Sequence, residues 1–391
     1  MKVAMLSANN SKVIKYGGKQ IHQNLLEKGL LELGIDVSTF YPLFEAERLK
    51  RIIRYTFSDP ITVFSLYHRL KHYFFKDIIN FFSILNLEEY DIVHAHDVLS
   101  IYPIVHPNTV LTLHSYFSRE RIIDIGNKTS EKNKQKIFKL CMDIEKQAIT
   151  KAKHIITVDN RIKNYVVEQF DYPMENVTVI YNAVNTDIFN LISDEMKVAL
   201  RKELNLPKDA FIVLVPRRYV KKNGVDYAAR AFSKIKSNDY FFVFAGGGQL
   251  KQEIEEILKD NNNTLVLDAV SNDLVHKYYK ASDVILIPSV TSNNLEEATS
   301  LSMLEGMACG KVVVCTNIGG MKEVVKHMEN GILIEQKNID AIIETLQYVK
   351  SNYDELSELR QRAREYVVKN HSYIEHTKKV VEVYSKVLNK S

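Results

Sequence analysis

The sequence has no tryptophan and only three cysteines among its 391 residues. Cys141, Cys309 and Cys315 show no CxxC spacing, and an odd number argues against a disulfide framework, so a reducing compartment is expected. The apolar run near the amino terminus is too short for a signal peptide. No run approaches the roughly 18 apolar residues that a spanning helix needs. We therefore expect a cytoplasmic protein.

The sequence also lacks a large excess of charge and any tract rich in glycine or proline. Its 52 Lys and Arg face 48 Asp and Glu, and a net charge of +4 does not by itself indicate nucleic acid. Fourteen Gly and eight Pro exclude a collagen-like or linker-like polymer. At roughly 150 residues per domain, the length indicates two or three domains.

Buried-strand patterns alternate with helical patterns along the chain. Residues 3–7 read as a strand, an amphipathic helix pattern ends at Gly34, and residues 35–41 read as the next strand, which makes a βαβ unit. The alternation pauses at 182–207 and restarts at Phe211. This predicts an α/β protein with two facing, doubly wound Rossmann-like domains and a cleft between them. We expect domains at 1–188 and 189–372, with the last helix, 373–391, packing back on the first.

Loops at the carboxyl ends of strands are the candidate sites, because open α/β sheets bind ligands there. Gly17 and Gly18 would let the backbone approach a ligand at a helix N-terminus; a plain tight turn is the alternative. The run 217–222 holds four cations, Arg217, Arg218, Lys221 and Lys222, and could bind a diphosphate. A solvated basic turn is the alternative there.

Two carboxylates and a histidine follow later strands. Glu305 lies within an apolar helix pattern and needs a partner, whereas Glu297 precedes that helix, which is predicted to begin at Thr299. Carboxylates bind vicinal sugar hydroxyls well, so either glutamate could contact a sugar. Alternatively, Glu305 forms a buried structural pair, and Glu297 is a charge at the N-terminus of the helix. His114 ends a strand and could bond a phosphate or a sugar hydroxyl, or act structurally.

A metal site is not expected. His94 and His96 would lie on one face of a strand, and with Asp97 and His114 they could suggest a metal. However, the sequence has no HExxH motif and shows no third ligand on that face.

Taken together, these segments resemble the retaining GT-B glycosyltransferases of family 4. Residues 302–310, with Glu297 eight positions before Glu305, resemble the family's E-x7-E signature, and Arg218 to Gly224 resembles its phosphate clamp. Four further segments resemble its boundary motif, its glycine turn, its first-domain histidine and its opening glycine loop: Tyr181–Asn185, Gly246–Gly248, Thr112–His114 and Tyr16–Gly18.

The resemblance implies roles for individual residues. Glu305 would bind the ribose hydroxyls, Glu297 the donor sugar, and Arg218 with Lys222 the diphosphate. The other implied contacts are His114 to the transferred sugar, Gly17 and Gly18 to the phosphate, and Ala298, Thr299, Ser300, Leu301 and Val270 to the donor.

Two segments depart from the family pattern. Asn223 stands where many members have lysine, so either Lys221 or Lys222 could serve in the clamp. Residues 268–270 replace a glycine-containing turn at the base pocket, which leaves the base open.

The implied activity is transfer of a sugar, with retention, from a nucleotide-diphosphate sugar. A UDP-sugar is the expected donor, and a glycan, a lipid-linked molecule or a small molecule the acceptor, in cell-envelope or polysaccharide biosynthesis. No Asp-x-Asp motif is present, so neither metal nor cofactor is expected. A nucleotide-sugar epimerase or phosphorylase, and a nucleotide-sugar-binding scaffold without turnover, are the alternatives.

Residues 48–76 combine basic and aromatic side chains. Seven Lys and Arg face a single acid, Asp59, and Tyr and Phe residues lie between them. Such a segment could contact anionic lipid at the inner face of the membrane; a solvated helix face is the alternative. Nucleic acid is not expected, since no known binding module is present.

Charge reversal tests this membrane hypothesis. Replacing Arg51, Arg54 and Lys71 with glutamate should abolish co-sedimentation with anionic liposomes, because each cation near an anionic surface contributes about 1 kcal/mol. Zwitterionic liposomes are the control. Unchanged co-sedimentation of the triple variant would exclude the hypothesis.

Overall fold

The structure, a computed structural model, describes residues 1–9, 17–42, 77–125, 130–293 and 295–389. The chain divides into two compact units, Met1–Ile180 with Lys379–Ser391, and Tyr181–Lys378. The division thus lies after residue 180 rather than after 188, and residues 373–378 of the last helix belong to the second unit. The segment 48–76 and Tyr16 lie outside the described residues.

The first unit contains a parallel six-stranded sheet in the order β2-β1-β3-β4-β5-β6. Its strands are β1 Lys2–Leu6, β2 Asp36–Phe40, β3 Ile92–Ala95, β4 Thr109–Leu113, β5 His154–Thr157 and β6 Val177–Val179. Its helices are α1 Gly18–Glu32, α2 Val98–Ile101, α3 Phe117–Ile125, α4 Glu131–Lys151 and α5 Asn160–Phe170, and residues 77–83 are also helical. Strand order reverses between β1 and β3, the point at which such sheets bind ligands.

The second unit repeats this design with the order β12-β11-β10-β7-β8-β9. Its strands are β7 Phe211–Val215, β8 Tyr240–Ala245, β9 Thr264–Leu267, β10 Val284–Ile287, β11 Val312–Thr316 and β12 Ile332–Ile334. Its helices are α6 Asp194–Glu203, α7 Val225–Lys234, α8 Lys251–Leu258, α9 Asn272–Ala281, α10 Leu301–Ala308, α11 Met321–Val324, α12 Ile339–Ser351 and α13 Ser357–His371. The last helix, α14 Tyr373–Leu388, spans both units. Here the order reverses between β7 and β10.

Local sequence explains why these elements form. The central strands are buried along their whole length, as expected for apolar runs in a sheet covered on both faces. Helices α4 and α5 begin after Ser130 and Asp159, whose side chains accept hydrogen bonds from backbone amides of the first turn. The α/β class and the two parallel sheets predicted from the sequence are confirmed.

A buried histidine joins the last helix to the first sheet. His94 Nδ1 lies 2.7 Å from the Tyr384 hydroxyl of α14, and Nε2 lies 2.7 Å from Thr112 Oγ1 of β4. Burial lowers the pKa of His94 to about 3, with a smaller contribution from His22. The imidazole is therefore neutral, and both of its nitrogens are used structurally.

Tyr384→Phe should lower the free energy of unfolding by about 1–3 kcal/mol, because it leaves a buried imidazole nitrogen without its partner. Tyr348→Phe is the matched control, since Tyr348 is an exposed tyrosine of α12. Urea unfolding near neutral pH measures both variants. Equal stability of the two would show that the His94–Tyr384 bond contributes nothing.

Candidate active site

Histidines gather at the carboxyl edge of the first sheet. His94 and His96 lie on the same face, with ring centroids 4.3 Å apart, as strand alternation predicts. His114, after β4, stacks with His96 at 6.0 Å and meets the edge of His22, from α1, at 4.6 Å. The sequence analysis missed His22, although its position in the helix that follows Gly17 and Gly18 was an available signal.

Three of these histidines have the spacing of a metal site. The ring nitrogens of His22, His96 and His114 lie within 4.8 Å of one another, so α1 supplies the third imidazole that the sequence did not reveal. Among the residues that the structure describes, no carboxylate belongs to this group. Burial, the other histidines and the Lys19 ammonium all lower the pKa of His96. The lowered pKa favours the neutral imidazole, the form in which histidine can bind a metal.

Asp97 organises the adjacent loops at the reversal of strand order. Its Oδ2 accepts from the Ala8 amide at 2.8 Å and pairs with Lys19 Nζ at 2.5 Å, while Oδ1 accepts from the Ser100 amide at 2.9 Å. It thereby connects the end of β1 with α1 and α2. Gly17 precedes α1 with φ of 132°, a conformation that favours glycine.

In the second unit, Arg217 occupies the crevice between β7 and β10. Its guanidinium donates to three neutral oxygens and pairs with one carboxylate, although the side chain is only 8% exposed. The acceptors are Asn223 Oδ1 at 2.9 Å, Ser289 Oγ at 3.0 Å, Ser300 Oγ at 3.1 Å and Glu297 Oε2 at 3.0 Å. One cation thus connects the loops after β7 and β10 with the start of α10.

The other three cations of the run 217–222 lie at the surface, unlike Arg217. Arg218, Lys221 and Lys222 are exposed. Asn223, which replaces a family lysine, is buried; besides accepting from Arg217, it donates from Nδ2 to the Arg218 carbonyl at 2.8 Å. The sequence analysis counted Arg217 among four candidate cations, but the family resemblance pointed to Arg218 and Lys222 for the diphosphate. A pattern cannot show which of two adjacent arginines turns inward.

Glycines bring the surrounding loops close together. Gly224 has φ of 63°, and a Cβ there would lie 1.8 Å from the Pro288 carbonyl oxygen after β10. At Gly246, a Cβ would lie 2.0 Å from the Arg217 carbonyl oxygen. Glycine at both positions therefore allows the crevice to form.

Glu297 is ionised, and both its side chain and its backbone are held by neighbouring residues. Burial alone would raise its pKa, but Arg217, then Lys222 and Arg218, lower it below the ordinary range. Its backbone oxygen accepts from the Gly320 amide at 3.0 Å. Thr299 and Ser300 are buried, and α10 begins at Leu301 rather than at Thr299 as expected. The helix N-terminus therefore lies directly beside the Arg217–Glu297 pair.

Glu305, in contrast, lies against a neutral partner. Its Oε2 accepts from the Tyr279 hydroxyl at 2.6 Å. Burial raises the pKa of Glu305 to about 7, against the Tyr279 hydrogen bond and Arg217, which lower it. Val270, in the loop after β9, packs partly buried against the apolar cluster that contains Tyr279 and Leu304.

Two family models match complementary parts of the chain. The model of glycosyl transferases group 1 matches residues 196–367, and that of Glycosyltransferase Family 4 matches residues 16–188. Together, these matches show that the chain belongs to the glycosyltransferases of the family 4 type. The family and the enzyme expected from the sequence are thereby confirmed.

Curated relatives align along most of this glycosyltransferase. An uncharacterized glycosyltransferase of Methanocaldococcus jannaschii is 29% identical over 400 residues, with 98% of each chain covered. The Escherichia coli UDP-Gal:alpha-D-GlcNAc-diphosphoundecaprenol alpha-1,3-galactosyltransferase is 26% identical, with 81% of this chain and 80% of that protein covered.

Solved structures share the fold. Sucrose-phosphate synthase from Thermosynechococcus elongatus superposes with a TM-score of 0.76 at 18% identity, covering all of both chains. HepE of Anabaena, in complex with UDP, superposes with a TM-score of 0.70 at 16% identity, covering 99% of this chain and all of its own. The glycosyltransferase therefore has the GT-B architecture.

A double-mutant cycle tests the assignment of Arg217. Arg217→Met should lower the free energy of unfolding by about 2 kcal/mol, since it leaves the Glu297 carboxylate without its cation. Arg217→Met combined with Glu297→Gln should lose less than the sum of the single variants. Urea unfolding measures the cycle, with Arg218→Met as the control for an exposed arginine. Equal losses at positions 217 and 218 would contradict the assignment.

Proposed function

We propose that this glycosyltransferase moves a sugar from a nucleotide-diphosphate sugar, a UDP-sugar in the first instance, with retention at the anomeric carbon. The observation that carries the proposal is the ionised Arg217–Glu297 pair at the reversal of strand order, beside the N-terminus of α10. Two relatives support UDP: HepE was solved with UDP-glucose, and the Escherichia coli relative is named for UDP-Gal.

The diphosphate leaving group would be stabilised by fixed positive charge. Exposed Arg218 and Lys222 lie close enough to Glu297 to lower its pKa, so their charges converge on the same site as Arg217. Preorganised cations and the amides of a helix N-terminus stabilise developing charge without reorganisation. We therefore propose transfer that needs neither a metal nor another cofactor.

The two glutamates would hold different parts of the donor. Ionised Glu297 would accept hydrogen bonds from the sugar hydroxyls and orient the sugar, whereas Glu305 would accept from the ribose hydroxyls. The remaining donor contacts proposed in the second unit are the backbone of Ala298, Thr299, Ser300 and Leu301, and Val270.

Retention would follow from reaction on a single face of the sugar. The bond from the anomeric carbon to the phosphate oxygen breaks as the acceptor oxygen bonds to that carbon. A leaving-phosphate oxygen takes the acceptor proton. His114, Gly17 and Gly18, at the carboxyl edge of the first sheet, are proposed as the contacts of that unit to the transferred sugar and phosphate.

A glycan or a lipid-linked molecule is the proposed acceptor. The Escherichia coli relative is named for a diphosphoundecaprenol-linked sugar acceptor. No helix in the described ranges is long and apolar enough to cross a bilayer. A lipid-linked acceptor would be reached by contact with the inner face of the membrane, the role proposed for 48–76, and would place the reaction in envelope polysaccharide biosynthesis.

A donor panel tests this function. UDP-, GDP- and ADP-sugars are screened by thermal shift and then by nucleotide release with candidate acceptors, with and without EDTA. A UDP-sugar should give the largest shift, and EDTA should leave its turnover unchanged. Arg217→Ala and Glu297→Ala should each reduce kcat by about 100-fold, the loss typical of a group that stabilises transition-state charge. Arg218→Ala and Lys222→Ala should cause smaller losses, since both residues are exposed.

Arg230→Ala, an exposed arginine of α7, is the control. Near wild-type rates in both Glu297→Ala and Arg217→Ala would refute the mechanism. Donor consumption that needs no acceptor would favour an epimerase or phosphorylase, and binding without any turnover would favour a scaffold.

A further inference from the structure

Tyr279 makes a contact with the site that the proposed chemistry does not use. It lies on α9, is 1% exposed, and its ring meets the edge of Phe189 at 5.4 Å. Its hydroxyl donates to Glu305 Oε2 at 2.6 Å, across a separation of 26 residues. The packing of the ring leaves the hydroxyl in one place, so the carboxylate it binds is also held in one orientation.

We propose that Tyr279 is a positioning residue that fixes the orientation and the charge of the Glu305 carboxylate, and through them the affinity for the nucleotide. This inference rests on the proposed role of Glu305 in donor binding. Among the described residues, Tyr279 is the one hydrogen-bond donor to this carboxylate that the structure shows, and the bond is to Oε2. Oε1 and the second lone pair of Oε2 are then available to two neighbouring hydroxyls.

The charge of Glu305 depends on few groups. Burial raises its pKa to about 7, and the Tyr279 hydrogen bond opposes burial more strongly than Arg217 does. The Cys309 thiol, on the same helix, has a pKa raised by burial to about 12 and stays neutral. Arg364, from α13, donates instead to the Phe189 and Ala308 carbonyls. Tyr279 is therefore the strongest of the neighbours that favour the ionised form.

Nucleotide affinity should depend on pH, and the protonation of the Glu305 carboxylate sets the direction of the change. Protonation removes the charge of Glu305 and part of its capacity to accept hydrogen bonds. Nucleotide affinity should therefore fall as pH decreases through about 7. Without the tyrosine hydroxyl, the pKa of Glu305 rises and the fall begins at higher pH. Glu297 contributes no such midpoint, because its pKa lies below its ordinary range.

The test measures UDP-glucose binding by calorimetry between about pH 6 and 9 with the full chain, because the diphosphate of this probe, unlike the terminal phosphate of UDP, does not titrate in that range. Tyr279→Phe should shift the midpoint upward by about one unit. Binding of UDP-glucose to this variant should then be about fivefold weaker at pH 7, about tenfold weaker at pH 6 and nearly unchanged at pH 9. In transfer assays KM for the donor should rise while kcat changes little. Tyr278→Phe is the matched control, since Tyr278 is the adjacent buried tyrosine of α9. An unshifted midpoint in Tyr279→Phe, or an equal shift in Tyr278→Phe, would overturn the inference.

Glu305→Gln keeps the inference testable if Tyr279→Phe does not fold. This variant should bind UDP-glucose weakly and without a midpoint near pH 7, and a midpoint that persists would overturn the inference. Carboxyl 13C NMR of donor-free protein reports the Glu305 titration directly. Failure of the wild type to bind any nucleotide would instead refute the proposed function, a result that leaves the NMR midpoint unaffected.

Discussion

The organisation of the second unit depends on one buried cation. The Arg217 guanidinium binds Asn223, Ser289, Glu297 and Ser300, which come from the loop after β7, the loop after β10 and the start of α10. A buried guanidinium is unfavourable unless it is paired with a carboxylate and hydrogen-bonded. Arg217 therefore requires the loops after β7 and β10 and the start of α10 to converge, and this convergence forms the candidate donor site.

Contact with Arg217 also gives two carboxylates, only eight positions apart, different pKa values. Glu297 touches Arg217 and has a lowered pKa, whereas Glu305 touches neutral Tyr279 and has a pKa near 7. The difference comes from the partners, since both are glutamates in the same short segment. In the proposed roles, a permanently ionised group would suit the sugar beside a leaving diphosphate, and a group poised near neutrality would make nucleotide binding responsive to pH.

The first unit shows the same dependence on distant partners. Strand alternation places His94 and His96 on one face, but their environments differ. His94 is tied to Tyr384, from the far end of the chain, and serves the core. His96 meets His114 and His22 at the carboxyl edge of the sheet. Position in the strand thus determines the face, while the neighbouring elements determine which side chains each histidine meets.

The sequence by itself determined the α/β class, the two sheets and the loops that carry candidate groups, because strand runs, helix periods and the E-x7-E spacing are local patterns. The tertiary structure decided that Arg217 turns inward where Arg218 does not, that Tyr279 is the partner of Glu305, and that His22 joins His96 and His114. Adjacent residues at the end of a strand differ only in side-chain direction, which the turn sets. Partners far apart in sequence meet only through strand order, which no local pattern contains.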